Sequence, residues 1–265
     1  MKIKEKFIES KTGKMIDCED GLFINDNYIV IVDGATSKNS IKVNGKSSGC
    51  YIKDIILESM EKLPIGITAV EAINFLNINI KISKNNLPDD FQMSASIIIY
   101  SDSKKEIWNY GDCQCIINSK KYLHQNKIDL ITSNKRSKYN KKLLNNGFSV
   151  EKLLEKDLGR EHIYPILKEQ YKLINRFDIK YGYPALNGMP INEKELFIYK
   201  LKKDDQITLS SDGYPCLKDN LKESEEYLKE VLKDDPLLID KYKTTKSLIK
   251  GNSSFDDRSY VSFIV

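Results

Sequence analysis

Tyr28-Ile29-Val30-Ile31-Val32 run without a polar break into Asp33-Gly34. With Phe23-Ile24 before the Asn25-Asp26-Asn27 cluster, this predicts a β-hairpin of two short strands. The period then changes. Ile52, Ile55, Ile56 and Met60 recur at helical spacing within Ser47–Leu63, and Pro64 follows. A capping-box pair, Thr68 and Glu71, opens a second helix across 68–85. Residues 94–103 and 105–119 read as paired strands with a turn around Ser103-Lys104. From Lys120 to about Pro190 the pattern weakens. Ser149 caps a short helix over 150–158, and the Gly/Pro-rich stretch 180–190 reads as an ordered loop. Strand, turn and strand return over 195–213. Leu221, Leu228, Val231 and Leu232 then share one helical face, closed by Pro236. Residues 236–251 predict another helix, with Pro near its start and Gly251 after its end, and 259–265 a final strand.

Strands and helices come in blocks rather than in alternating βαβ units, which predicts an α+β fold. No internal repeat or linker divides the chain. The expectation is a single domain over 1–265 with a variable helical and loop insertion at about 120–190.

Composition narrows the chemistry. Of 265 residues, 40% are hydrophobic and 30% charged, an ordinary globular balance with material for a sizeable core. Forty-two basic against 38 acidic residues leave a net charge of +4, too even to argue for a nucleic-acid partner. The lysine-dense stretch Lys104–Lys142 lacks the interleaved aromatics of a stacking platform and reads as a solvated surface. The longest apolar runs are strand-length, so no membrane span is expected. The opening MKIKEKFIES has no apolar leader core, and a cytoplasmic location is expected. The five cysteines, Cys18, Cys50, Cys113, Cys115 and Cys216, form no C-x-x-C. Cys113 and Cys115 would share one face of a strand, but two thiols do not complete a zinc site. With only His124 and His162, widely separated, zinc and Ser-His-Asp chemistry are both disfavoured.

The informative residues are acids at the ends of predicted strands: Glu19-Asp20, Asp33-Gly34, Asp112, Asp212-Gly213 and Asp256-Asp257. One Asp-Gly pair is an ordinary turn. Five acidic groups flanking β-rich runs are a different matter, because strand ends are rigid mounts and hard Mg²⁺ or Mn²⁺ ions take oxygen ligands.

In this order the pieces CED (18–20), VDG (32–34), two helices over 47–83, SAS (94–96), GDC (111–113), SDG (211–213) and DDRS (256–259) resemble the metal-dependent protein phosphatases, also called protein phosphatase type 2C, over nearly the whole chain. The resemblance implies a sandwich of two antiparallel β-sheets flanked by helices, with a two-metal Mg²⁺ or Mn²⁺ site at one edge. It implies a phosphoserine/phosphothreonine protein phosphatase that hydrolyses phosphomonoesters of a phosphorylated protein substrate through a metal-activated water. On it, Asp33 bridges both ions, the Gly34 carbonyl binds one, and Asp212 and Asp256 hold the other. Glu19 and Asp20 act through metal-bound waters, Asp112 is structural, and Asp89 or Asp90 lies near a third-metal ligand position.

The chain departs from the pattern in places. Asp-Gly-x-Gly-Gly becomes Asp33-Gly34-Ala35-Thr36-Ser37, and Ala35 stands where several members carry a histidine. No arginine precedes Glu19-Asp20, which leaves Lys14 or Lys11 as the phosphate-binding candidates. These departures keep open a rival, a catalytically weak or inactive pseudophosphatase that binds a partner. An acid-edged sandwich without metal is a third reading.

Overall fold

The computed structural model describes residues 1–36, 38 and 41–265. In chain order its strands are β1 (Lys2–Glu9), β2 (Asp20–Ile24), β3 (Tyr28–Gly34), β4 (Ala95–Ser101), β5 (Glu106–Tyr110), β6 (Gln114–Ile117), β7 (Lys120–Tyr122), β8 (Phe197–Lys200), β9 (Gln206–Ser210) and β10 (Arg258–Ile264). Its α-helices are α1 (Ser48–Met60), α2 (Ala69–Lys84), α3 (Lys127–Asn145), α4 (Val150–Glu155), α5 (Leu158–Gln170) and α6 (Leu221–Asp234). The strands form two five-stranded antiparallel sheets, ordered β1-β10-β9-β6-β7 and β2-β3-β4-β5-β8. The α+β sandwich expected from the sequence is the observed fold.

The unbroken apolar run of β3 has a simple cause. Ile29 and Ile31 point into the core between the sheets, with Ile98, Tyr100, Cys113, Cys115, Leu209 and Phe263. Tyr28, Val30 and Val32 point the other way, into a layer filled by Ile52 and Ile56 of α1 and by Ala72, Ile73 and Leu76 of α2. Both faces of the strand are covered, so no polar alternation remains in it. α6 packs Leu228 and Val231 over Tyr214 and Tyr260 beside the other sheet.

Local signals held where their partners are local. The Thr68–Glu71 capping box forms, with the Thr68 side chain accepting from the Glu71 amide and the Glu71 carboxylate accepting from the Thr68 amide. Thr68→Ala should cost about 1 kcal/mol, read as a lowered urea midpoint with an unchanged slope.

Three expectations change. The stretch 105–119 is not one strand. β5 and β6 belong to different sheets, and the chain crosses between them at Gly111-Asp112. Gly111 has φ +122°, and a Cβ there would strike Ser96, so this crossover requires glycine. The helix expected over 236–251 is absent, and the segment runs as loop and turn. Its backbone groups are claimed from elsewhere. Arg136 and Ser137 of α3 donate to the carbonyls of Leu237, Leu238 and Ile239. The Asp235 carboxylate accepts from the amides of Ile239 and Asp240. Those bonds replace a helical ladder. Finally, α3 itself is a 19-residue helix over a stretch read as lysine-rich surface. Its inward face is polar, with Thr132, Ser133, Arg136, Ser137 and Asn140 buried, so hydrophobic periodicity could not reveal it.

Candidate active site

The two sheets bring their acidic ends to one edge. Asp20 and Asp33 are register partners at the end of the β2–β3 pair. Asp33 also stands opposite Ser96 at the start of β4. Asp212 follows β9 after one residue, Ser211, and Asp256-Asp257 directly precede β10, the neighbour of β9. The sheets are tied there. The Asp212 amide donates to Asp33 Oδ2 at 3.4 Å, and Ser259 Oγ donates to Asp20 Oδ2 at 3.0 Å. Gly34 lies where no side chain fits, since an added Cβ would meet the backbone carbonyls of Gly49 and Glu19.

A cavity of about 160 Å³ opens at this edge, lined by Asp33, Gly34, Asp112, Asp129, Asp212 and Asp256 among others. A second cavity of about 190 Å³ adjoins it across Asp112, Asp212 and Asp256, walled by Leu123, His124, Tyr242 and Phe255. Among the described residues, Asp20, Asp33, Asp112, Asp129 and Asp212 form no ion pair. Their carboxyls respond accordingly. Burial, then Asp212, Asp20 and Asp112, hold the Asp33 pKa well above its ordinary value. Burial, then Asp256 and Asp112, push Asp212 up to about 7. Burial pushes Asp20 up to about 8, and Asp129 up to about 6 with Asp112 adding to it.

Asp256 and Glu19 behave differently, because lysines reach them. Lys246 pairs with Asp256, and Lys11 Nζ lies 3.2 Å from Glu19, 3.5 Å from Asp256 and 3.4 Å from Asp257. Burial opposes the charge of Asp256, but Lys246 and Lys11 hold its pKa down to about 2. Burial likewise opposes the Lys11 charge, and Asp256, Glu19 and Asp257 outweigh it, raising its pKa. Glu19 Oε1 accepts from Ser47 Oγ at 2.7 Å, and Ser47 is also the N-cap of α1. Asp257 is spent on structure, accepting from the amides of Lys11 and Glu19, both at 2.8 Å.

Of the predicted site residues, Asp33, Gly34, Asp212 and Asp256 line the cavity, and Glu19 and Asp20 stand buried behind it. Asp90 does not join them. It is exposed in the turn before β4, and neither cavity includes it or Asp89. Asp112, expected to be structural, faces the cavity. Its Oδ1 accepts from Ser96 Oγ at 2.6 Å and its Oδ2 from Asn126 at 3.0 Å. Of the two lysines offered for phosphate, Lys14 is exposed and Lys11 is committed to three carboxylates. In the altered loop, the Ala35 amide donates to the Ser94 carbonyl at 2.9 Å, the Thr36 carbonyl accepts from Lys38 Nζ at 2.6 Å, and Ser37 lies outside the described residues. Sequence reasoning missed Asp129, Lys38, Arg160 and Lys246, all on the cavity wall. Only Arg160 carried a signal: the chain has four arginines among its 42 basic residues, and an arginine in such a chain marks a place where lysine does not substitute.

The donor set suits a hard divalent cation. Carboxylates that form no ion pair among the described residues, gathered on one cavity, are what Mg²⁺ and Mn²⁺ select. No three Asp, Glu, His or Cys side chains among the described residues are already arranged to hold an ion.

No family model matches the chain, and no curated protein matches its sequence. Its fold is nonetheless that of solved bacterial phosphatases. The catalytic domain of the serine/threonine protein phosphatase PstP in complex with two manganese ions superposes with a TM-score of 0.52 at 13% identity, over 100% of this chain and 99% of that one. The Mycobacterium tuberculosis serine/threonine phosphatase PstP/Ppp gives 0.52 at 11% identity, over 99% and 98%. Stp1 from Staphylococcus aureus gives 0.51 at 13%, over 98% and 94%. Among the described residues, no helix is long and apolar enough to cross a membrane.

Proposed function

We propose that this chain is a Mg²⁺- or Mn²⁺-dependent phosphoserine/phosphothreonine protein phosphatase of the type 2C family. The observation that carries the reading is the gathering of Asp33, Asp112 and Asp212 around one cavity with, among the described residues, no ion pair to any of them. Asp33, the Gly34 carbonyl, Asp212 and Asp256 would hold the ions, with Asp112 a further ligand in the position first sought at Asp90. Bound there, the ions supply Lewis-acid chemistry: a water made acidic enough to attack phosphorus, and neutralisation of phosphoryl charge.

The chain's own residues do the rest. Ser96 and Asn126 fix both oxygens of Asp112. Ser259 orients Asp20 behind the cavity, and the Asp212 amide holds Asp33 in place. The segment between β7 and β8 contributes Asn126, Asp129 and Arg160 to the wall, so it shapes which phosphorylated protein segment enters. Among the described residues nothing in the site pairs a nucleophile with a base, which fits direct attack by water.

A second reading has its own observation. Lys11 and Lys246 already neutralise Asp256 and Glu19, as expected of a pseudophosphatase that has exchanged metal affinity for internal ion pairs and serves as a partner-binding module. Hydrolysis of an aryl phosphate and of a phosphothreonine peptide separates the two. The enzyme reading expects turnover with Mn²⁺ or Mg²⁺ that falls to background with chelator and returns when metal is restored. Metal binding by calorimetry without turnover on either substrate would establish the pseudophosphatase, and the absence of any divalent-cation binding would overturn both metal assignments.

A further inference from the structure

We propose that Arg160 and Lys38 together form the phosphoryl-binding subsite of this cavity, a role the sequence offered to Lys11 or Lys14. The proposal rests on the phosphatase reading for its biological meaning, but it is a claim about binding a phosphate dianion and is testable as one.

Three of the four arginines are paired with acids. Arg136 pairs with Asp157, Arg176 with Asp178, and Arg258 with Glu9 and Glu225. Arg160 forms no ion pair among the described residues. Asp157, the acid next to it, is taken by Arg136 at 3.0 Å and by the Ser247 amide at 2.8 Å. Among the described residues the Arg160 guanidinium makes one hydrogen bond, from Nη1 to the Thr245 carbonyl at 2.9 Å. Most of its fork of donors is thus left for the cavity it lines.

Lys38 reaches the same cavity from the loop after β3. It too forms no ion pair among the described residues, and its Nζ donates to the Thr36 carbonyl at 2.6 Å. Its position is fixed from behind, where the Tyr164 hydroxyl of α5 donates to its carbonyl. Arg160 and Tyr164 are one turn apart on α5, so a single helix places one cation and anchors the other. Burial, then Arg160 and Lys246, lower the Lys38 pKa to about 7. Two basic groups on one cavity wall, with no ion pair to either among the described residues, are an unfavourable arrangement unless an anion completes it. Lys246 is not a third member, because Asp256 already holds it. The cavity therefore carries unneutralised charge of both signs: carboxylates awaiting cations, and a guanidinium and an amine awaiting an anion. A phosphomonoester is the ligand class that meets a metal site on some oxygens and an arginine fork on others.

The test uses inorganic phosphate as the probe, titrated calorimetrically into the full chain with Mg²⁺ present. Wild-type protein should bind it, and Arg160→Gln and Lys38→Gln should each weaken binding at least tenfold. Arg160→Lys should recover part of the loss, and Arg176→Gln should bind as wild type. In the aryl-phosphate assay, Arg160→Gln should raise KM more than it lowers kcat, a split that a loosened helix would not produce. Melting curves identify a variant that has merely unfolded, and Lys38→Gln then carries the test alone. Unchanged phosphate affinity in both Gln variants would overturn the subsite, as would a wild-type protein that binds no phosphate. Phosphate binding that depends on Arg160 in a protein without turnover would keep the subsite and sink the catalytic reading. Turnover with an unaltered KM in Arg160→Gln would do the reverse.

Discussion

Asp33→Asn should reduce kcat/KM for phosphomonoester hydrolysis by roughly 10²–10⁴-fold, the loss of several kcal/mol of charge stabilisation at the reacting phosphorus. The substitution keeps the shape and removes one charge. Asp33 is the carboxylate that both sheets share, opposite Asp20 in register and in contact with the Asp212 amide at 3.4 Å. Without its charge, the remaining donors stand on separate elements with nothing common between them. The same substitution should leave the metal-free protein as stable as wild type or more so, because burial and the like charges of Asp212, Asp20 and Asp112 act most strongly on Asp33. Steady-state assays with Mn²⁺, paired with melting curves in chelator, check both halves. Near-normal turnover in Asp33→Asn would remove Asp33 from the centre of the site, and a collapsed melting temperature would mean the residue is a structural one.

The largest stability effect is expected far from the acids, at Arg136→Ala. Arg136 is completely buried, and it pairs with Asp157 through Nε and Nη2. It also donates to the carbonyls of Leu237, Leu238 and Thr244. Removing it leaves a buried carboxylate without its cation and several carbonyls without donors, a loss of about 3–5 kcal/mol. In a chain of this size that lowers Tm by roughly 10 °C. The effect should reach function as well. Asp157 caps α5, and through Ser247 it holds the loop that carries Thr245 and Lys246 into the cavity. A variant that melts within a degree or two of wild type would show that the loop is held by other contacts. Arg136→Met, apolar and of similar length, should recover little, since Asp157 would still lack a counter-charge.

Both residues show how differently the chain displays its parts. Asp33 was legible because the signal is local: a continuous apolar run ending in Asp-Gly, repeated in kind before and after. Arg136 was not, because it lies in a lysine-rich stretch whose buried face is polar, and its partners are 21 and about 100 residues away. The predicted helix over 236–251 failed for the same reason. Pro236 and Gly251 frame a plausible helix, but carbonyl acceptors and amide donors in that segment bond to α3 and to Asp235 instead.

The sequence by itself determined an α+β chain with strands and helices in blocks, the two helices within 47–85, and the acids Asp33, Asp212 and Asp256 at strand ends. Each follows from short-range periodicity, turn chemistry and capping, which need no distant partner, whereas the two-sheet sandwich was implied only by the resemblance of the ordered motifs to the type 2C phosphatases. Tertiary structure alone decided which acids share a cavity and which are spent. It brought Asp112 in and left Asp90 outside, gave Asp256 and Glu19 to lysines, and set Arg160 and Lys38 beside one another from segments over a hundred residues apart. The physical reason is that a carboxylate's role depends on whether a cation stands within a few ångströms of it. That depends on how distant segments pack, and no local pattern along the chain records it.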